Sequence, residues 1–350
     1  MVVMAAQVLR WIKEFNIMNY KRGFRLATLN RIIAKSGLLV NEIQKAIDNQ
    51  KEAVEEPKKE IPNKPLFAKN SLRINSGVSG VAIHVPTNPI IGGETYTDEN
   101  GEIKYKGGKY NIVGWVKPGK VMSQGLPRST LTNAIVVTAT PVGAAAKSLS
   151  SGYTQSFGNN KWWSTAKANI DRAMKKRYGN VSLGKEALAA FSGGYAAVAA
   201  ALRDGADPDA VIMLDNIHNF GQKPAGPNLD TFTEYAKKAA QDPSKKFISV
   251  FSQIIPSRQN KETGRWETYV SSKESAEHIA NEVGATTQNE SRQIGNLSPV
   301  LSMRVGGVEM YSAFPPGKYD VNNMKKQHIA ISNAAPDIFN LLADDWNIAS

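Results

Sequence analysis

The chain contains no cysteine. That excludes disulfides, a thiolate nucleophile and any cysteine-ligated metal site. Histidine is also scarce, with four in 350 residues, so imidazole chemistry has few bearers: His84, His218, His278 and His328. No stretch approaches the roughly 18 uninterrupted apolar residues of a membrane span. The opening Met-Val-Val-Met-Ala-Ala soon meets Arg10 and Lys13 and lacks the apolar core of a signal peptide. These absences leave the localisation unknown, with cytoplasm and virion as the two options open. No lysine-bearing phosphate loop and no histidine-pair zinc motif occurs, and Gly92-Gly93 and Gly107-Gly108 match no phosphate-loop pattern. No cofactor and no metal are expected.

What is present suits one large domain or a domain with an appendage. A hydrophobic share of 41% supplies a core of good size, and the net charge of +12 favours contact with anionic surfaces such as nucleic acid, lipid or cell-wall polymers. The plainer reading of that charge is a soluble basic protein.

Residues 1–50 carry Leu29, Ile32, Ile33, Leu38, Leu39, Ile43 and Ile47 at mixed three- and four-residue steps, which predicts a helical arm broken near Gly37. Residues 51–65 alternate charges and hold three prolines, the composition of a linker. Such an arm either packs back on the body or serves docking and oligomerisation. Residues 66–130 read as β-rich. Val81, Ile83 and Val85 alternate with Ala82 and His84, Asn100-Gly101 marks a hairpin, and 112–116 is apolar. From about residue 133 strands alternate with helices: strands at 134–139, 188–190, 210–214, 247–251, 303–305 and 308–311, with helical faces between them. Ser271 and Glu274 form a capping box. The fold class expected is α/β, a mostly parallel sheet with helices on both faces, within a domain spanning 66–350.

The richest local signal is Ala190-Phe191-Ser192-Gly193-Gly194. It stands between a short apolar run and the alanine-rich helix that starts at Tyr195. A serine on a sharp strand-to-helix turn with small neighbours has its hydroxyl lifted clear of the sheet. The same turn aims the amide of Gly193 and the helix start at the place where an oxyanion would form. The bland alternative is a serine capping the helix.

This motif, together with His328 between the last predicted strand and helix, resembles the α/β-hydrolase family over roughly residues 130–350. Its usual G-x-S-x-G here has Ala190 in the first position. The resemblance implies a serine hydrolase acting on ester or amide bonds through an acyl-enzyme. Ser192 is then the nucleophile and His328, on a loop, the general base, with His218 as the rival base. The acid most often follows the strand that ends here at Phe251, where no carboxylate stands. Asp215 is the better candidate, with Glu262 and Glu267 on a predicted hairpin as alternatives. A second oxyanion amide, beside that of Gly193, is assigned to Val142 in the loop after the strand ending at Ala139.

Other groups carry less. Trp162-Trp163 reads as pocket lining or as core, and Arg172, Lys175, Lys176 and Arg177 as a solvated helix end or a polyanion site. A second class of function also fits: an assembly subunit, such as a phage virion or tail protein, that oligomerises through residues 1–50 and keeps a hydrolase-like body without activity. A nucleic-acid-binding module has only the charge in its favour.

Overall fold

The strands are β1 (Val81–His84), β2 (Glu94–Thr97), β3 (Ile103–Val116), β4 (Ile135–Ala139), β5 (Gly179–Phe191), β6 (Ala210–Leu214), β7 (Lys246–Phe251), β8 (Ser257–Gln259), β9 (Trp266–Thr268), β10 (Thr286–Asn289), β11 (Leu301–Val305) and β12 (Val308–Ser312). This is a computed structural model, and it describes residues 72–117, 133–142, 150–218, 224–254, 257–259, 266–299, 301–313, 321–342 and 346. The expected arm (1–50) and linker (51–65) lie outside the described residues, as does Glu262. All described residues belong to one unit, Lys64–Ser350.

One mixed sheet dominates, in the order β1-β4-β3-β5-β6-β7-β12-β11-β10, with β2 paired to β3. The six strands from β4 to β12 in that order are mutually parallel. Antiparallel neighbours flank them on both sides. β4 and β6 are buried along their whole length. Their uninterrupted apolar composition follows from being covered on both faces. The β-rich segment is therefore no separate layer, because β1, β2 and β3 enter the same sheet, β3 near its middle. The Asn100-Gly101 hairpin is present. Gly101 takes φ 77°, and Asp98 Oδ1 accepts from the amides of Asn100 and Glu102.

The helices are α1 (Ser150–Phe157), α2 (Trp162–Tyr178), α3 (Tyr195–Arg203), α4 (Pro227–Gln241), α5 (Ser272–Val283), α6 (Val321–Asn333) and α7 (Ala335–Phe339). From β4 through β5, β6 and β7 to β12 the chain steps across the sheet in one direction. Right-handed crossovers then land each connecting helix on the same face. Phe157, Trp162, Ile170, Val198, Phe232 and Ile279 of α1–α5 accordingly share one core with Leu188, Val211 and Met213. Alternate residues of the same strands, among them Trp115, Ala189, Ile212 and Val250, face the other way and meet Ile331, Ile338 and Phe339 of α6 and α7.

Both Trp162 and Trp163 lie in the core. The indole of Trp162 donates to Ala197 O at 3.0 Å, and that of Trp163 donates to the buried carboxylate of Glu186, which also pairs with Lys167. Neither indole is free to stack on a ligand. The basic end of α2 is a solvated face with local partners, Lys175 with Asp171 and Arg177 with Glu102. At α5 the capping box is made, Ser271 Oγ accepting from Glu274 N and Glu274 from Ser271 N. Among the described residues no helix is long and apolar enough to cross a membrane.

Candidate active site

β5 ends at Phe191 in extended backbone (φ −118°, ψ 139°). The next residue, Ser192, has φ 53°. A left-handed conformation is uncommon for a non-glycine residue and costs about 1–2 kcal/mol. One tight turn, Ser192–Gly194, joins the strand to α3, with the amide of Tyr195 donating to Ser192 O. Gly194 is required by contact rather than by torsion, since a Cβ there would stand 2.5 Å from Val116 O of β3. The elbow is therefore pressed against the end of the neighbouring strand. Gly193 is buried within the turn.

The adjacent strand β6 ends in a second strained bend. Asp215 (φ 42°) and Ile217 (φ 64°) are both left-handed, and for a β-branched residue such as Ile217 this is a genuine outlier. Of four non-glycine residues with positive φ among those described, three are Ser192, Asp215 and Ile217. Strain gathered at two neighbouring strand ends is a mark of functional geometry. The bend is tied down throughout. Asn216 Nδ2 donates to Ala190 O at 2.9 Å, Ser275 Oγ to Ile217 O at 2.7 Å, and Tyr195 of α3 to His218 O at 2.6 Å.

Asp215 is buried and its carboxylate is fully engaged. Oδ1 accepts from Ser252 N at 2.9 Å, Ser252 Oγ at 2.8 Å and Ser272 Oγ at 2.5 Å. Oδ2 is 2.7 Å from His328 Nδ1. Burial by itself would raise the pKa of this carboxyl. The hydrogen bond and charge of His328, with His218 and Ser272, outweigh burial and bring it down to about 2. Asp215 is thus ionised at neutral pH and accepts from Nδ1–H of His328, an arrangement that in a neutral imidazole leaves the lone pair on Nε2. The imidazole packs on Phe191, with ring centroids 4.3 Å apart, and its side chain keeps 28% of its surface exposed. Ser192 Oγ makes no hydrogen bond to a described residue.

Matches to known proteins are distant. No protein-family model and no curated protein matches the chain. Among solved structures, one match is the Agrobacterium tumefaciens protein Atu2452, of unknown function, at 10% identity and TM-score 0.26, covering 69% of this chain and 95% of that one. Another is the dienelactone hydrolase-like promiscuous phosphotriesterase P91 from metagenomic libraries, at 14% identity and TM-score 0.32, covering 76% and 95%.

His328 lies inside α6 rather than on a loop. Residues 321–333 contain neither glycine nor proline, and Gln327 and Ile331 on the buried side seat the helix. Nothing in this stretch stops a helix. The missing acid after Phe251 has a structural counterpart: Ser252 stands there and donates twice to Asp215. Glu267 lies on β9, which pairs with β8 outside the main sheet. His218 is an unsuited base. Its Nδ1 is buried without a hydrogen-bond partner, its ring meets Tyr269 edge-on at 6.0 Å, and burial holds its pKa below the usual value.

The expectation for Val142 does not fit the strand order. Its loop follows β4, and β3 intervenes between β4 and β5; the Val142 side chain is exposed. The residue that leaves the strand beside the elbow is Lys117, following Val116, which pairs with Ala190. Sequence reasoning missed Lys117 because strand order is set by contacts remote in the chain. Among the described residues no cluster of three or more His, Asp or Glu could hold a metal ion.

Proposed function

We propose that the protein is a serine hydrolase of ester or amide bonds. The observation that carries this reading is the buried Asp215 bonded to His328 at the carboxyl ends of parallel strands, beside a serine in left-handed backbone. In this reading Ser192 Oγ gives its proton to His328 Nε2 and attacks the substrate carbonyl. The developing oxyanion is held by the Gly193 amide, near the start of α3. Asp215 holds the tautomer and offsets the imidazolium charge. Collapse expels the alcohol or amine, which takes the proton back from His328. Water, deprotonated in turn by His328, then attacks the acyl carbon; collapse releases the acid, and Ser192 Oγ leaves with the proton that His328 returns. The nucleophile–base hydrogen bond forms when substrate docks, as such bonds commonly tighten only in the complex.

A fluorophosphonate probe tests the proposal. Wild-type protein should be labelled, with the adduct on Ser192 by peptide mapping, and Ser192→Ala should not. Absence of labelling in a protein with an intact circular-dichroism spectrum removes the enzymatic reading.

A further inference from the structure

Lys117 is a charged side chain beside the elbow to which the mechanism above gives no role. β3 delivers it there, one residue past the Val116–Ala190 pair. Its Nζ lies 5.8 Å from the centroid of the Phe191 ring, the same ring that carries His328. Phe191 immediately precedes Ser192, so one phenyl group is touched by both the ammonium and the imidazole. Among the described residues no carboxylate forms an ion pair with Lys117. Burial alone acts on its proton affinity, lowering it.

A cation partly withdrawn from water without a counter-charge is unfavourable. The cation–π contact offsets part of that cost and neutralises nothing. An anion arriving at the same spot would gain both the Coulomb attraction and a hydrogen-bond donor. A lysine suits this task as a point charge on a flexible stem, able to follow a carboxylate without demanding a fixed two-point geometry.

We infer that the substrate held at Ser192 carries a carboxylate near its scissile bond, and that Lys117 binds it. This rests on the hydrolase reading for the identity of the ligand as a substrate, whereas the anion site itself does not. Two nitrophenyl esters of similar length test it, the half-ester of glutaric acid and the neutral valerate. The quantity read is the ratio of their kcat/KM values. It should fall about tenfold or more in Lys117→Met and in Lys117→Gln, as for the loss of one partly desolvated charge partner, and Lys117→Arg should restore most of it. A ratio equal to wild type in both neutral variants overturns the inference.

A second measurement stands apart from turnover. Glutarate is titrated into Ser192→Ala protein and into the Ser192→Ala, Lys117→Met double variant, followed by calorimetry. Binding at least tenfold weaker in the double variant supports the anion site, even if neither ester is hydrolysed and the hydrolase reading has failed. Equal binding in the two proteins, or none in either, overturns it.

Discussion

Replacing Asp215 with asparagine keeps the shape of the side chain and removes its charge. The three donors that converge on Oδ1, from Ser252 and Ser272, can all be served by the amide oxygen. The amide NH2 is then aimed at His328 Nδ1, where the carboxylate accepted. The imidazole must present Nδ1 as acceptor and carry its proton on Nε2, which on the proposed mechanism leaves it unable to take a proton from Ser192. A wrong tautomer of this kind lowers kcat on the order of 10³–10⁴-fold. There is also a cost in stability. Lowering the carboxyl from 3.8 to about 2 corresponds to roughly 2 kcal/mol in favour of the folded state. Because the folded value lies below the unfolded one, this contribution is present above about pH 4 and is lost as pH falls through about 2. Asp215→Asn should therefore be less stable than wild type at neutral pH in urea unfolding, with the gap narrowing in acid. Hydrolysis by Asp215→Asn within tenfold of wild type, where Ser192→Ala has none, would refute the tautomer argument. A stability gap independent of pH would refute the charge argument.

Two further outcomes concern the elbow. Ser192 sits at φ 53°, so glycine there should relieve about 1–2 kcal/mol of strain while costing about 0.5–1 kcal/mol in chain entropy. Ser192→Gly should then unfold at the same or higher denaturant concentration than Ser192→Ala, and the reverse order would contradict the strain. Gly194→Ala forces a methyl to within 2.5 Å of Val116 O, and should lose about 1–3 kcal/mol together with labelling of Ser192. Thermal denaturation and the probe report the two effects.

Local features could be read from the sequence because their causes are local. The turn at Asn100-Gly101, the capping box at Ser271 and the strand–serine–helix order around Ser192 each depend on a few consecutive residues. The alternation that makes a parallel sheet was legible for the same reason, because buried strands are short apolar runs. What could not be read was adjacency. That β3 rather than β4 lies beside β5 decides which loop reaches the elbow, and it puts Lys117 there in place of Val142. The bond between Asp215 and His328 joins residues 113 positions apart. It requires the bend after β6 and the seating of α6, neither written in any short window. Trp162 and Trp163 were ambiguous because an indole buried with its N–H satisfied has the same sequence signature as one lining a cleft.

The one-way march of the parallel strands has a bearing on how the polypeptide is made. On one side each strand is followed by its own cover: α3 and α4 come directly after β5 and β6, and α5 comes after β7 once the short β8 and β9 have been made. The opposite side, with Trp115, Ala189, Ile212 and Val250, is closed among the described residues by side chains from Ile294 onward, chiefly those of α6 and α7. Until that portion leaves the ribosome, this apolar side of the sheet lacks the cover that the described residues supply, and a chain with exposed apolar surface is prone to association. The helix that completes the cover also carries the imidazole, so the same late docking event both hides the exposed oil and finishes the acid–base pair.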